Sequence, residues 1–540
     1  MTAPSGFRGI WRIDEPARAV YSEAAGIQRI MPRAVAVPAD AADVVTLVRW
    51  AADAAIPLIP RGSGSSMAGG AIGDGVIVDV SRLSEIGQID ANARALRVGP
   101  GAVLGAVNER ARGSGLRFPV DPSSWSFCTL GGMANTNASG ARTMRVGSTR
   151  PWIRVLDCVF ADGTRAEVRR GREAPDAAIV RHFLDDVAPA LLEAERERPS
   201  AHDGVRKESS GYGLAAWATS GELIDIIIGS EGTLAIVVGL ELALDPLPAV
   251  TVSVLASFAE LESAVAGATA ARVAGASACE LLDKTFLDVA AAGPLPVEIP
   301  PGTEAVLLAE IEASDGAAAS ALAGEIAHSF ERAGATAVRH ADTEAAQRTL
   351  WALRHAASPI LARLDPSLKS MQFVEDGAVP PAQLPAYVRG VRAALERHGL
   401  RGVIFGHAGD AHMHVNPLVD VRLSDWRARV DSLLDDVTAL VSTLGGTVSG
   451  EHGDGRLRAP LMSRVWSLHA LARFAAVKEA FDPRGILNPG VKVAVAAPAH
   501  TGDVKYDPAL PSLPASARAA LDRVEHDRDY SHFRLALLDA

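Results

Sequence analysis
IPLIPRGSGSSMAGGAIGDGVIVDVSRL, residues 56–83, is the stretch whose reading decides the fold. An apolar run ends at Pro60-Arg61, a loop of small residues follows (Gly62-Ser63-Gly64-Ser65-Ser66), and a second apolar run, GVIVDV, begins at 75. Residues without bulk let successive backbone N–H groups converge on an anion, and hydroxyls add donors. The functional reading is a phosphate cradle; a tight surface turn would use the same residues. Position 67 is Met and no Gly-Lys-Ser/Thr follows, so neither a G-x-G-x-x-G fingerprint nor a P-loop is present.

Two further segments share this chemistry: PVDPSSWSFCTLGGMANTNASGARTMRVGS at 119–148 and GSEGTLAIV at 229–237. Each adjoins an expected strand and is rich in Gly and hydroxyls. Three such loops in one domain can wrap an extended cofactor with a pyrophosphate and a polar ring system.

Outward from these loops, short apolar runs at 95–99, 153–163, 224–229 and 234–242 read as strands, while 42–54 carries helical periodicity. LDPLPAV, near 244–250, marks a boundary. Beyond it, a strand at 251–258, a helix, a strand at 306–313 and another helix predict a second α+β domain. The expected division is an N-terminal segment, 1–34; a cofactor domain, 35–247; a substrate or cap domain, 248–495, that ends in a segment returning to the cofactor side; and a tail, 496–540, that packs or tethers.

The densest chemistry lies in VIFGHAGDAHMHVNPL (403–418) and GGTVSGEHGDGRLR (445–458). Period-two alternation puts His412, His414 and Asn416 on one strand face, and His407 can fold back across the turn. Glycines around Glu451 and His452 free both to address one site. Two imidazoles and a carboxylate leave the open position a catalytic divalent metal needs. Any one of these histidines alone would more simply cap a turn; four beside a glutamate, in a chain with 14 histidines, favour a site.

PRGSGSSMAGGAIGDG, DPSS…TLGGMANTNASG and GSEGTLAIV, in this order, resemble the flavin-binding domain of the vanillyl-alcohol oxidase / p-cresol methylhydroxylase superfamily, which holds FAD. The resemblance implies an α+β fold: a two-subdomain FAD-binding domain plus an α+β cap domain with a C-terminal helical segment. It implies that Pro60, Arg61, Gly62, Ser63, Gly64, Ser65 and Ser66 hold the pyrophosphate. Pro122, Ser123, Thr129, Gly132, Asn135, Asn137 and Ala138 run toward the isoalloxazine, and Glu231, Gly232 and Thr233 meet the adenosine side. FDPRGILNPG (481–490) matches a flavin-side loop, which adds Asn488. The first loop has no His or Cys and Cys128 is not at an attachment position, so the FAD is expected to be non-covalent.

HAGDAHMH and GEHGDG resemble boxes of FAD-linked D-2-hydroxy-acid dehydrogenases acting on D-lactate, glycolate or D-2-hydroxyglutarate. The resemblance implies that His407, His414 and Glu451 bind a divalent metal, zinc by preference, and that His452 is the base. His412 stands where the family has Asn and is a second candidate for the first ligand. In LWALRHAASPILARLDPSLKSM (350–371), Arg354, Ser358 and Lys369 keep the family's spacing for anchoring the substrate carboxylate; Asn416 is a fourth anchor. Arg348 and Arg363 read as ordinary surface charge.

Composition limits the partners. Acidic residues exceed basic ones by 64 to 53, a net charge of −11, and no basic run occurs, so neither nucleic acid nor an anionic membrane is expected. Three separated cysteines among 540 residues build neither a disulfide framework nor an iron–sulfur cluster and point to a reducing compartment. No secretion signal or membrane span is legible, so a cytoplasmic protein is expected, with peripheral membrane attachment and a homodimer both compatible. The expected reaction passes a hydride from C2 to FAD, and electrons then leave to a quinone, a cytochrome, an electron-transfer flavoprotein or a separate iron–sulfur protein. The rival readings are an oxygen-using flavin oxidase of the same fold and a non-catalytic FAD-binding subunit.

Overall fold
The computed structural model describes residues 1–291, 297–361, 367–495 and 502–538, without the side chains of 355–361. It is an α+β molecule organised around three main sheets. In the first, Ile10–Arg12, Ala34–Val37, Val76–Asp79 and Leu58–Arg61 lie side by side in that order, the last three mutually parallel. Burial on both faces explains why these strands read as unbroken apolar runs. Helix Ala41–Ala54 starts at an Asp40 side-chain cap and buries Val44, Leu47, Val48 and Ala51 against this sheet.

The second sheet is antiparallel, ordered Ile86–Asp90, Ala95–Val98, Ala235–Ala243, Ile153–Phe160, Arg165–Arg169. The third has eight strands, with Val250–Phe258, Ala305–Ala313 and Ala278–Asp283 leading to the hairpin Arg401–His407/His412–Asp420, edged by Leu368–Ser370. The functional loops lie where these sheets face one another.

Two expectations need correction. IDIIIG at 224–229 is not a strand: Ile224–Ile227 is a short helix buried on all sides, and a short apolar run carries no period by which to tell the two apart. The four-part division is also crossed by the packing, the return of the 248–495 unit to the cofactor side being the one crossing expected. Ile10–Arg12 of the N-terminal segment is a strand of the first sheet. Past Leu461 the chain leaves the third-sheet core: Phe474 and Phe481 of helix Leu468–Phe481 enter the core of the second sheet, and Leu487 bridges Leu58 of the first. The tail returns as well. Val504 is buried with the third-sheet core, and helix Ala515–Asp527 buries Ala517, Ala520, Leu521 and Val524 against Ala17, Val20 and Tyr21. Proline punctuation marks where elements end, not which core the next one enters.

Candidate active site
A cavity of about 880 Å³ opens between the sheets. One wall is made of loop backbone. Pro60 to Ser66, Pro122, Ser123, Thr129, Gly132, Asn135, Ala138, Glu231 and Gly232 all line it. Gly64 has φ +78°, and a Cβ there would sit 2.3 Å from the Arg61 guanidinium, so this turn requires glycine. Arg61 is buried and donates to the carbonyls of Tyr21, Ala71 and Glu23, stapling the loop from behind. Ser66 Oγ and Asn135 Oδ1 are buried without a hydrogen-bond partner among the described residues. Such groups are costly unless a ligand satisfies them, which fits a polar, phosphate-bearing cofactor.

Three of the expected cofactor residues do not line the cavity and instead support its loops. Asn137 ends helix Leu130–Thr136 and accepts from the Arg150 N–H. Thr233 bonds to the Ser230 carbonyl and to Tyr212. Asn488 donates to the carbonyls of Gly70 and Glu231. Glu231 turns its carboxylate toward the N–H groups of Asp454 and Gly455 and the Lys492 ammonium. Cys128 lines the cavity, and burial pushes its thiol up to about 12, leaving it a poor nucleophile.

The opposite wall is built of side chains. His407 Nε2 lies 3.4 Å and His414 Nε2 3.3 Å from Glu451 Oε1, and His452 Nε2 lies 3.5 Å from the same oxygen. The far nitrogens are held: His407 Nδ1 by Glu280 Oε1 at 2.5 Å, His414 Nδ1 by the Glu375 carbonyl at 2.8 Å. A carbonyl only accepts, so Nδ1 of His414 carries its proton and the Nε2 lone pair faces Glu451 when the ring is neutral. The other carboxylate oxygen, Glu451 Oε2, accepts from Lys207 Nζ at 3.0 Å and from Ser139 Oγ at 3.1 Å. Burial works against the Glu451 charge, yet Lys207 and His407 hold its carboxyl well below the usual range. Two supported imidazoles and one ionised oxygen meeting at a point form a donor set suited to a divalent cation.

His412 lies on the same strand as His414, their ring centroids 4.7 Å apart, but its Nε2 turns to Asp376 Oδ1 at 2.8 Å. Like His407 it does not line the cavity; its Nδ1 has no hydrogen-bond partner among the described residues, burial lowers the ring to about 4, and it stands close enough to His407, His414 and Glu451 to share one ion with them, so it remains a candidate ligand. His452 does line the cavity, and its Nδ1 is held by Glu375 Oε2 at 2.9 Å. Burial alone would lower His452; Glu375 and Asp376 outweigh it and raise the ring above its ordinary 6.5. Arg458, fully buried, pairs with both carboxylates and offsets part of their charge.

Arg354, Lys369 and Asn416 line the same cavity. Arg354 Nε meets Glu280 Oε2 at 2.7 Å with its guanidinium over Phe405, so Glu280 ties the substrate anchor to His407. The side chain of Ser358 lies outside the described residues. Sequence reasoning missed Glu280, Lys207, Glu375 and Asp376. Glu280 left one signal, a carboxylate in the middle of the otherwise apolar stretch ACELL (278–282); buried carboxylates are rare without a partner.

Residues 32–169 match the "FAD binding domain" family and residues 247–491 the "FAD linked oxidases, C-terminal domain" family. The chain is 29% identical to the glycolate oxidase subunit GlcD of Bacillus subtilis, over 88% of this chain and 92% of that protein. It is 30% identical to D-2-hydroxyglutarate dehydrogenase of Pseudomonas putida, over 90% of this chain but only 50% of that protein's length. It is 28% identical to D-lactate dehydrogenase of Archaeoglobus fulgidus, over 85% and 92%. Among solved structures, 4-ethylphenol oxidase from Gulosibacter chungangensis superposes with a TM-score of 0.65 at 16% identity, covering 89% of this chain and 94% of that one. An alkyldihydroxyacetonephosphate synthase superposes at 0.61 with 14% identity, covering 89% and 82%.

Proposed function
We propose, for a chain that belongs to the FAD-linked oxidase and dehydrogenase family, that it oxidises a D-2-hydroxy acid of the lactate or 2-hydroxyglutarate type to the 2-oxo acid. The observation that carries this reading is the convergence of His407, His414 and Glu451 at the cavity walled by the Gly/Ser loops, which His414, Glu451 and His452 line and His407 backs. FAD held along residues 60–66, 122–138 and 231–232 would supply the hydride acceptor, and a divalent cation on His407, His414 and Glu451, zinc by its donor set, would supply a Lewis acid for the hydroxy acid.

The chain's own residues supply the rest. Arg354, Lys369 and Asn416 fix the substrate by charge-assisted and amide contacts, with Ser358 as a further anchor. His452 takes the hydroxyl proton at Nε2 while Glu375 keeps the Nδ1 proton in place, so the ring presents its lone pair to the cavity. The protonated Cys128 favours non-covalent flavin. Electrons then pass to an external quinone, cytochrome, electron-transfer flavoprotein or iron–sulfur protein. No described helix is long and apolar enough to cross a membrane, and a cytoplasmic location accords with the three unpaired cysteines.

The test is anaerobic bleaching of the purified chain's own flavin by a panel of D- and L-2-hydroxy acids. Bleaching by D acids alone is expected. Bleaching by none, with flavin bound, would leave the chain a non-catalytic subunit.

A further inference from the structure
Both family matches end by residue 491, yet the cavity has a further wall beyond that point. Lys505, Tyr506, Glu525 and Tyr530 line it together with Lys369 and Asn416. This wall is pinned. The Lys505 N–H donates to the Ile27 carbonyl at 2.7 Å, the Arg29 N–H to the Asp503 carbonyl at 2.7 Å, and Val504 is buried between them. Tyr530 packs its ring 5.1 Å from Phe127 of the second flavin loop.

The charges in this corner do not balance. Lys369 Nζ lies 5.4 Å and Lys505 Nζ 5.0 Å from the centroid of the Tyr506 ring. Among the described residues Lys369 forms no ion pair, and Lys505, only 8% exposed, has one ion-pair partner, Glu525 at 3.6 Å, which also accepts from the Tyr506 hydroxyl at 2.6 Å; buried Glu23 also acts on Lys505 but is itself paired with Arg29 and Arg518. The other acids of the tail nearby are engaged elsewhere: Asp522 with Arg518, Asp507 with Arg427, Asp527 with His526. Among the described residues, two ammonium groups thus face one carboxylate not already paired with an arginine, in a corner where Lys505 is buried and Lys369 half-buried. A buried cation left over in this way calls for an anion.

We propose that the C-terminal segment is part of the active site, and that Lys505 with Tyr506 completes, beside Lys369, a subsite for a second, distal carboxylate, which makes a dicarboxylic 2-hydroxy acid the preferred substrate. This rests on the functional reading above and names the substrate class within it. The metal side holds the hydroxy acid end; the tail reads the other end.

The experiment uses the full-length holoenzyme and compares kcat/KM for D-2-hydroxyglutarate and D-malate with that for D-lactate. Wild type should prefer the dicarboxylates. Lys505→Met should cut the dicarboxylate-to-lactate ratio about 10- to 100-fold, since one charge-assisted contact is lost. Lys505→Arg should retain most of it. Glu525→Gln removes the competing carboxylate and should raise the ratio severalfold, a direction that mere loss of packing would not give. Flavin content and Tm identify any variant that fails to fold, in which case Glu525→Gln decides alone. A ratio unmoved by Lys505→Met, or by Glu525→Gln, would overturn the subsite, as would a wild-type preference for lactate. Flavin that no 2-hydroxy acid reduces would instead sink the functional reading, and this inference with it.

Discussion

The two facing walls of the cavity solve opposite problems. The flavin-loop wall is made of backbone: its residues are small, its donors are N–H groups and hydroxyls, and the one buried cation, Arg61, spends its hydrogen bonds on loop carbonyls. The histidine wall is made of side chains, several of them ionised and buried, and each is held from behind by a second residue: His407 by Glu280, His452 by Glu375, Glu451 by Lys207. The first wall depends on volume and φ; the second depends on charge and on which nitrogen carries the proton. Substitutions should therefore fail in different ways on the two sides.

The largest effect belongs to volume. Gly64→Val puts a branched side chain at φ +78° against the Arg61 guanidinium and should give protein that purifies without flavin while the histidine wall stays intact. Absorbance near 450 nm relative to 280 nm reads it. Next comes charge: Glu451→Gln keeps the shape and a partner for Lys207 but removes the anionic ligand. Flavin should stay bound, while its reduction by substrate slows on the order of 10³-fold or more in stopped flow.

His452→Asn removes the base and should slow flavin reduction about 10²- to 10³-fold with substrate binding largely kept. The ring must be neutral to accept a proton, and Glu375 and Asp376 raise it above 6.5 against the effect of burial. Wild-type reduction should therefore fall as pH drops, along a limb centred above 6.5, and Glu375→Gln should move that limb to lower pH. A limb that Glu375→Gln leaves in place would assign the titration to another group.

How much of this was legible in the sequence follows the same division. The backbone wall was readable because Gly and Ser in a row have few other uses, and the loops at 62–66 and 122–138 appear where expected. The metal-ligand candidates were readable because His-x-His on a strand fixes a face. The supporting layer was not. Glu280, Glu375 and Lys207 stand 74 or more residues from the groups they hold, except where Glu375 stands 39 from His414, and none sits in a distinctive spacing. His412 stays open for the converse reason: alternation placed it beside His414, where it groups with His407, His414 and Glu451, but could not show that Asp376 holds its Nε2.

The smallest effect expected is at Lys369, the one anchor near both the cap sheet and the tail. Lys369→Ala removes one charge-assisted contact, about 1.5 to 3 kcal/mol, and should raise KM more for dicarboxylate than for monocarboxylate substrates. Equal rises for both would place Lys369 at the shared hydroxy acid end.

The central claim is that the two walls do separable jobs on one substrate. The most direct measurement is chelator treatment of the holoenzyme followed by anaerobic mixing with a D-2-hydroxy acid, with flavin and metal contents determined on the same sample. The account predicts about one divalent ion per chain before treatment. It further predicts that full flavin is retained afterwards, that reduction is lost, and that zinc restores it. Unchanged reduction in protein shown to be metal-free would contradict it.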